Sequence, residues 1–307
     1  MASPYGRLVL IVHPAAGRGR VAAEMPEVER TVRSKGLDYR VVEVAEASDA
    51  KQVARDVLAA GERFLVAVGG DDLVHHVVNG MIQDDRAVAE DAVLGVVPAG
   101  AECGLVTTFG LPGDATRATA SMAGDRLFPI DVGKVTCVAS DGSEITRYFP
   151  NLAQAGFGAA THARTERLPR FLGRGRRFLA FWLTLARTRP QTFKVRVGEQ
   201  GWEGPATNVV VGNCQFEAGG LRLSPRSWPG DGLLDVLVMT GPRSDHFTLL
   251  PLMYRGEQVP HPHIVEMKGK TIRVETERPM PVEADGIVLG ATPASFGVVR
   301  LPIRLKI

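Results

Sequence analysis

FLVAVGGDDLVHHVVNG, from Phe64 to Gly80, is the stretch on which the reading of this chain turns. Phe64 to Val68 has the length and composition of a buried β-strand. The run breaks at Gly69-Gly70-Asp71, where glycine permits a tight turn. A helix is expected over 73–82, with Asp71 or Asp72 as an Asx turn or N-cap before it. Strand, Gly-rich turn and helix, in that order, have the outline of a nucleotide-binding loop.

The same alternation surrounds this stretch. Residues 7–12 form a short apolar run that stops at Pro14-Ala15-Ala16-Gly17. Val21, Met25, Val28 and Val32 then recur at helical spacing. Tyr39–Val44 reads as a second strand, followed by a helix from Ser48 or Asp49 to about Ala60. Leu94–Val97 is a fourth strand, ending in Pro98-Ala99-Gly100. Such alternation predicts a doubly wound α/β layer with a mostly parallel sheet. Ligands of such sheets sit beyond the carboxyl ends of the strands. The loops at 13–19, 69–73 and 98–104 all leave such ends, so one site for all three is expected.

After about residue 126 the pattern changes. Segments 127–138, 145–155, 192–198, 206–213, 233–239 and 271–275 are β-rich and separated by Gly, Pro, Asp or Asn. One helical stretch, about 174–188, interrupts them. The expectation is an α/β domain at 1–126 and a β-rich, mainly antiparallel domain at 127–291, with a cleft between them. The strand-like end, 292–307, is expected to pack back on the first domain.

Composition narrows the class. The chain has 307 residues, 45% apolar and 23% charged, which suits a folded two-domain protein. A net charge of +2 does not by itself point to nucleic acid or membrane. Cys103, Cys137 and Cys214 lie far apart with no CxxC, which argues against a disulfide framework or a structural zinc. The apolar run near the N-terminus is too short for a signal peptide or a membrane span, so a cytoplasmic location is expected.

GGDDLVHHVVNG resembles the GGDGT-x-x-E-V-x-N-G signature of the diacylglycerol kinase, sphingosine kinase and bacterial lipid kinase family. Further family-like segments follow in order. They are His13-Pro14-Ala15-Ala16-Gly17-Arg18-Gly19, Leu94 to Gly100, Phe109 to Pro112, Asp131-Val132-Gly133, Asn151 with Gly156-Phe157-Gly158, Gly219 to Pro225, Asp231 to Val236 and Ala284-Asp285-Gly286. The resemblance implies the lipid kinase fold. It also implies nucleotide-cradling roles for Gly17, Gly69, Gly70 and Gly100, should ATP and magnesium bind.

The polar loop residues depart from that pattern. Asp72 stands in place of Gly, Leu73 of Thr and His76 of Glu. Gly100-Ala101-Glu102-Cys103-Gly104 stands in place of GTGND, and Ile287 in place of the last motif's Glu. A carboxylate about 4 Å from a phosphate costs about 4 kcal/mol at intermediate dielectric. From this the expected function is a repurposed enzyme performing acid–base chemistry, a condensation or cyclisation, on a small, phosphorylated metabolite, with no cofactor favoured. The alternative is an ATP- and magnesium-dependent lipid kinase with a nonstandard nucleotide site. A non-catalytic lipid- or metabolite-binding protein is the third reading.

Asp71, His76, Glu102 and Asp285 form the expected acid–base set, with their roles open. For Asp71 the plainer alternative is a turn or cap. For Glu283 and Asp285, which would share a strand face, it is a solvated surface pair. Cys103 is a nucleophile only if His76 or His13 lowers its pKa; otherwise it is a small buried residue. A metal site from His13, His76 and Asp71 has little to favour it, and none is assigned.

Residues 164–189 hold eight Arg and one acid, Glu166, so this segment carries +7 and the rest of the chain −5 (+2 minus +7). Phe171, Phe178, Phe181 and Trp182 interleave with them. Arg174, Arg176 and Arg177 are the expected binders of a substrate anion. An anionic membrane surface, touched transiently, is the second partner this segment would suit. No nucleic-acid motif accompanies it. A homodimer is left open.

Overall fold

The computed structural model describes residues 3–100, 103–173, 175–217 and 219–307. These fall into two compact units. One contains the chain up to Val132 together with Val299–Ile307, and the other contains Gly133–Glu217 and Leu221–Val298.

In the first unit, β1 (Leu8–Val12), α1 (Arg20–Ser34), β2 (Tyr39–Glu43), α2 (Ala50–Ala59), β3 (Phe64–Val68) and α3 (Asp71–Met81) alternate. A two-residue hairpin, β4 (Ile82–Gln83) and β5 (Arg86–Ala87), leads to β6 (Val93–Val97). Two short helices follow, α4 (Gly104–Thr108) and α5 (Ala115–Ser121). The sheet is parallel, with β6, β3, β1 and β2 side by side. Every residue of β1, β3 and β6 is buried. Continuous apolar runs are what a parallel strand covered on both faces requires. Helices α1 and α5 pack on the face formed by Leu8, Leu10, Phe64 and Val66, through Val28, Val32, Ala118 and Met122.

Helix α3 begins at Asp71, two residues earlier than the expected 73. Its N-cap is Gly70, which makes no side-chain cap, so neither Asp71 nor Asp72 plays that part. Both instead lie in the first turn, where negative charge suits the helix dipole. The Asn79-Gly80 pair that closes the opening motif has a packing role. The Asn79 amide donates to the His75 carbonyl at 2.8 Å. A Cβ on Gly80 would collide with the Lys51 carbonyl and lie 2.6 Å from the Ala54 Cβ, so glycine sets the approach of α3 to α2.

The second unit is β-rich. It contains part of β7 (Leu127–Val138), then β8 (Glu144–Phe149), β9 (Leu152–Gly156), α6 (Phe157–Arg167) and α7 (Gly175–Arg187). Next come β10 (Gln191–Val197), β11 (Gln200–Ala206), β12 (Asn208–Gly212) and β13 (Leu234–Met239). The short helices α8 (Asp245–Thr248) and α9 (Leu250–Arg255) precede β14 (Ile264–Gly269), β15 (Thr271–Thr276), β16 (Pro281–Ala284) and β17 (Ile287–Lys306). Strands β14, β13, β12, β9 and β16 pair antiparallel in that order. A second row, β11, β10 and β15, is also antiparallel. Strand β17 pairs antiparallel with β16 and with β15, and its Arg304 and Leu305 lie parallel to β6 in the first unit. Inward residues of β10 alternate strictly with outward ones, and Phe193, Val195 and Val197 join Phe149 and Phe296 in the core.

Several elements differ from the sequence expectation, among them β11, β14 and the short helices α4, α5, α8 and α9, which were not anticipated. The run 145–155 is split at Pro150-Asn151 into β8 and β9. Helix α6 was not anticipated. Only Phe157 and Ala159 of its residues are buried, so its sequence carries little apolar periodicity.

Gly80→Ala is expected to lower the free energy of unfolding by about 1–3 kcal/mol, the usual range for overpacking. A urea titration checks this; an unchanged midpoint would mean that α2 moves aside freely.

Candidate functional site

In the first unit the parallel register aligns three strand ends. Val12 lies beside Val68, and Val68 beside Val97. The loops that follow therefore leave at one level. A Cβ on Gly17 would come 2.7 Å from the Gly100 carbonyl oxygen, so the first and third loops touch backbone to backbone. Both glycines have positive φ, at 60° and 71°, a region where glycine carries no steric penalty. Arg20 reinforces the contact by donating to the Gly100 carbonyl.

Asp71 joins the second loop to the third. The Gly104 N–H donates to its two carboxylate oxygens at 2.9 and 3.1 Å, and the Cys103 thiol donates at 3.1 Å. Asp71 is buried, and Gly104 opens α4, so the carboxylate serves that helix start rather than its own. Burial and the adjacent Asp71 charge push the Cys103 thiol well above its ordinary pKa. A thiol held neutral in this way is no nucleophile. Cys103 is a buried core residue.

The remaining candidates of this unit are placed as follows. The His76 Nε2 lies 3.4 Å from the Asp72 carboxylate, whose side chain is 63% exposed. His75 is buried, and the His13 Nδ1 lies 3.3 Å from the Val44 carbonyl oxygen. Among the described residues no three His, Cys, Asp or Glu side chains converge as a metal site, so His13, His76 and Asp71 form none. Leu73 is buried and would sit 3.0 Å from a Cβ on Gly69, so its side chain packs under the turn. Gly70 is extended, at φ −99° and ψ −169°. Helix α3 has no side-chain cap, so the amides that open it suit an anion, whereas the Ala22 N–H in the first turn of α1 already donates to the Pro14 carbonyl at 3.3 Å. Glu102 lies outside the described residues.

The second unit holds a polar cluster of its own. The His162 Nε2 on α6 is 2.6 Å from the Glu217 Oε1. The Gln154 amide on β9 donates to the Glu217 Oε2 at 3.3 Å, and its own oxygen accepts from Asn208 at 2.9 Å. The Asn208 oxygen accepts from the Gly158 N–H, in the first turn of α6. Glu283 is completely buried on β16. Its Oε2 accepts from the Gly286 N–H at 2.6 Å, while its Oε1 has no hydrogen-bond partner.

Burial alone would lower the His162 pKa, but the Glu217 carboxylate, with help from Glu283, lifts it to about 9. Burial also opposes charge on Glu217, yet His162 holds its pKa below the ordinary value. Glu283 is lifted to about 8, by burial first, with the His162 cation opposing and Glu217 reinforcing the rise. At neutral pH the cluster is thus an ion pair beside a protonated acid.

Asp285 occupies the turn between β16 and β17 at φ 51°, and its Oδ1 accepts from the Asn151 and Leu152 N–H groups at 3.1 and 3.2 Å. It braces the start of β9. Glu283 and Asp285 are not a solvated strand pair, because Glu283 points into the protein and Asp285 lies beyond the strand end. The Arg176 guanidinium donates to the Thr165 carbonyl at 2.6 and 3.1 Å, so it caps α6 instead of standing ready for a substrate anion. Arg177 lies close enough to His162 and Glu217 to affect both electrostatically. Arg174 lies outside the described residues. His162 and Glu217 were not among the sequence candidates. The available signals were a His six residues after Gly156 and an acid just before Gly219-Gly220, both faint without the fold.

Comparison with known proteins settles the lineage. The family model described as "YegS C-terminal NAD kinase beta sandwich-like domain" matches residues 151–307, just over half of the chain. "Diacylglycerol kinase catalytic domain" matches residues 7–135. The chain belongs to the diacylglycerol kinase family of lipid kinases. A Mycobacterium tuberculosis protein named "Diacylglycerol kinase" is 26% identical over 98% of this chain and 94% of its own length. A Bacillus subtilis protein of the same name is 24% identical over 94% of this chain and 92% of its own. A solved diacylglycerol kinase from Bacillus anthracis shares the fold, with a TM-score of 0.70 at 21% identity over 98% of this chain and 96% of that one.

These relatives overturn the expectation of an enzyme that does not transfer phosphoryl groups, since proteins matching nearly end to end are named as kinases. The lipid kinase fold also removes much of the electrostatic objection. The Asp72 side chain faces water beside His76, so a phosphate about 4 Å away would cost about 1 kcal/mol, not 4.

The cluster in the second unit makes stability depend on pH. The pKa values of Glu283 and His162 are both raised in the folded state, to about 8 and about 9. Their contribution is complete below the unfolded values and is lost as pH rises through 8 and 9. Glu283→Gln removes the ionisation that drives the first part of this loss. The variant is expected to be more stable than the parent at pH 8.5 by a few kcal/mol, with little difference at pH 4.5. Chemical denaturation at both pH values measures it; an equal gap at the two would show that Glu283 does not titrate in this window.

Proposed function

We propose that the protein transfers the γ-phosphoryl group of ATP to a hydroxyl of a glycerolipid of the diacylglycerol class, with magnesium as the companion cation. The observation that carries this reading is the meeting of three loops at the carboxyl ends of three parallel strands in register. Ligands bind at such ends in open α/β sheets. The near full-length match to a protein named "Diacylglycerol kinase" supports the same reaction and supplies the substrate class.

Bound ATP supplies the phosphoryl group, and magnesium neutralises part of its charge. The amides opening α3 hold phosphate oxygens. No metal cage of protein side chains stands ready among the described residues, which suits an ion that relies on water and substrate phosphates for most of its ligands. Phosphoryl transfer through a loose transition state depends chiefly on positioning. Asp71 is assigned to orient the acceptor hydroxyl, because its carboxylate is held at the strand ends by Gly104 and Cys103.

The test is transfer of labelled γ-phosphate from ATP to dioleoylglycerol in mixed micelles with magnesium. The parent protein is expected to form labelled phosphatidic acid, and Asp71→Asn to lower kcat by about a hundredfold or more; its thermal unfolding is followed alongside, because the same carboxylate also holds the third loop against α3. Absence of labelled product from diacylglycerol and other glycerolipids at millimolar ATP would sink the reading. Full turnover by the variant would remove Asp71 from it.

A further inference from the structure

Strand β16 turns Glu283 away from the apolar core of the second unit. Its sequence neighbours Val282 and Ala284 belong to that core, so the side chain between them leaves from the opposite face of the sheet. Gln154 stands opposite Glu283 on β9, likewise between two core residues, Ala153 and Ala155. Helix α6 packs across β9 and β16, and its His162 acts electrostatically on Glu283. Helix α6 is therefore the cover of this face.

Under that cover Glu283 is fully buried and half satisfied. Its Oε2 accepts from the Gly286 N–H at 2.6 Å, while its Oε1 is closed to solvent and has no hydrogen-bond partner among the described residues. A neutral carboxyl tolerates this arrangement, whereas a carboxylate would be a buried charge resting on a single donor. The cations nearby are committed elsewhere. His162 is paired with Glu217 at 2.6 Å, and Arg177 of α7 acts on both members of that pair. Asp285, in the turn beyond β16, adds negative charge. Strand β8 also meets β16, and the charge of its Arg147 acts on Cys137. An ionised Glu283 thus needs water. Strands β9 and β17 close the sheet on either side of β16, so water enters only where α6 gives way.

The attachment of α6 suits such a movement. Its first turn is anchored. Phe157 stacks on the His246 ring at 3.7 Å and packs edge-on against Phe181, and the Gly158 N–H donates to Asn208 at 3.2 Å. Beyond Ala159 no residue of α6 is buried. That part is held by polar contacts: His162 with Glu217, Arg164 donating to the Thr184 hydroxyl at 3.0 Å, and the Thr165 carbonyl accepting from Arg176. Water can replace such contacts at small net cost, so the last turns can lift while the first stays in place.

We propose that Glu283 is a proton-operated latch on α6: with its proton in place the helix lies closed over β9 and β16, and when the proton leaves to solvent the helix lifts beyond its first turn and water reaches the carboxylate. The titration of the group runs in the required direction. Burial raises the Glu283 pKa to about 8 in the closed form, whereas a hydrated carboxyl in the lifted form titrates near its ordinary value. The closed form is therefore fully favoured below the ordinary value and weakens as pH rises to about 8, by about tenfold per pH unit. His162, at about 9, loses its own charge only above that window.

The latch stands apart from the phosphotransfer reading, because it operates without nucleotide or lipid. Amide hydrogen exchange of the protein alone, between about pH 5.5 and 8.5, tests it. After correction for the intrinsic exchange rate, protection of residues 161–167 is expected to fall about tenfold per pH unit up to about pH 8 and then level off. It should stay below the protection of β10 throughout, since the helix lifts without the strands. Glu283→Gln, which cannot ionise, is expected to give flat protection at 161–167 across the same range. Unchanging protection in the parent would overturn the proposal, as would an equal change in the variant. Equal protection of α6 and β10 would also overturn it, by assigning the effect to global unfolding. Should the variant fail to fold, infrared spectroscopy of the parent decides. A protonated-carboxyl band lost in step with α6 opening supports the latch, and absence of that band at pH 6.5 overturns it.

Discussion

A buried carboxylate governs the geometry of the first unit. Burying a charge costs several kcal/mol unless hydrogen bonds replace the lost water. The Asp71 oxygens are satisfied by the Gly104 N–H and the Cys103 thiol, on the loop after β6. Moving that loop away from α3 would strand the charge, so the second and third loops stay together. Backbone contact between Gly17 and Gly100 brings in the first. Strand register sets the level at which the loops leave, and these two contacts decide how closely they meet.

The second unit solves a similar problem with different chemistry. Three ionisable groups, His162, Glu217 and Glu283, lie close together away from bulk water. Two ionised carboxylates against one imidazolium would leave a buried net charge. The arrangement avoids this by keeping Glu217 and His162 charged and Glu283 protonated near neutral pH. A chain of hydrogen bonds from Gly158 through Asn208 and Gln154 to Glu217 holds the ion pair in one orientation. The glycine of Gly156-Phe157-Gly158 at position 158 leaves the room that the Gln154 amide occupies. Family-like letters in this segment therefore serve the polar network as well as the fold.

Letter-by-letter reading of the altered loops misjudged the chemistry because charge acts through its surroundings. Asp72 counted as a repulsive group beside phosphate, yet its side chain faces water. Arg176 counted as an anion binder, yet it closes the end of α6. Asp285 counted as an acid–base group, yet it braces a turn, while Glu283, outside that set, is the protonated core residue. In each case the residue type was plain and its exposure and neighbours were not.

The sequence by itself determined the elements whose pattern is local. Apolar runs specified β1, β3 and β6, because a strand buried on both faces must be apolar throughout. Glycines and the ordered family-like segments marked the turns and the lineage. Tertiary structure alone decided which distant residues share an environment. His162 and Glu217 are 55 positions apart, and α6, which carries His162, has too little buried apolar surface to announce itself. The pairing of β9 with β12 and β16 brings Gln154, Asn208 and Glu283 to that helix. Long-range pairing and burial set pKa values and partners, and neither quantity is written in the order of residues along the chain.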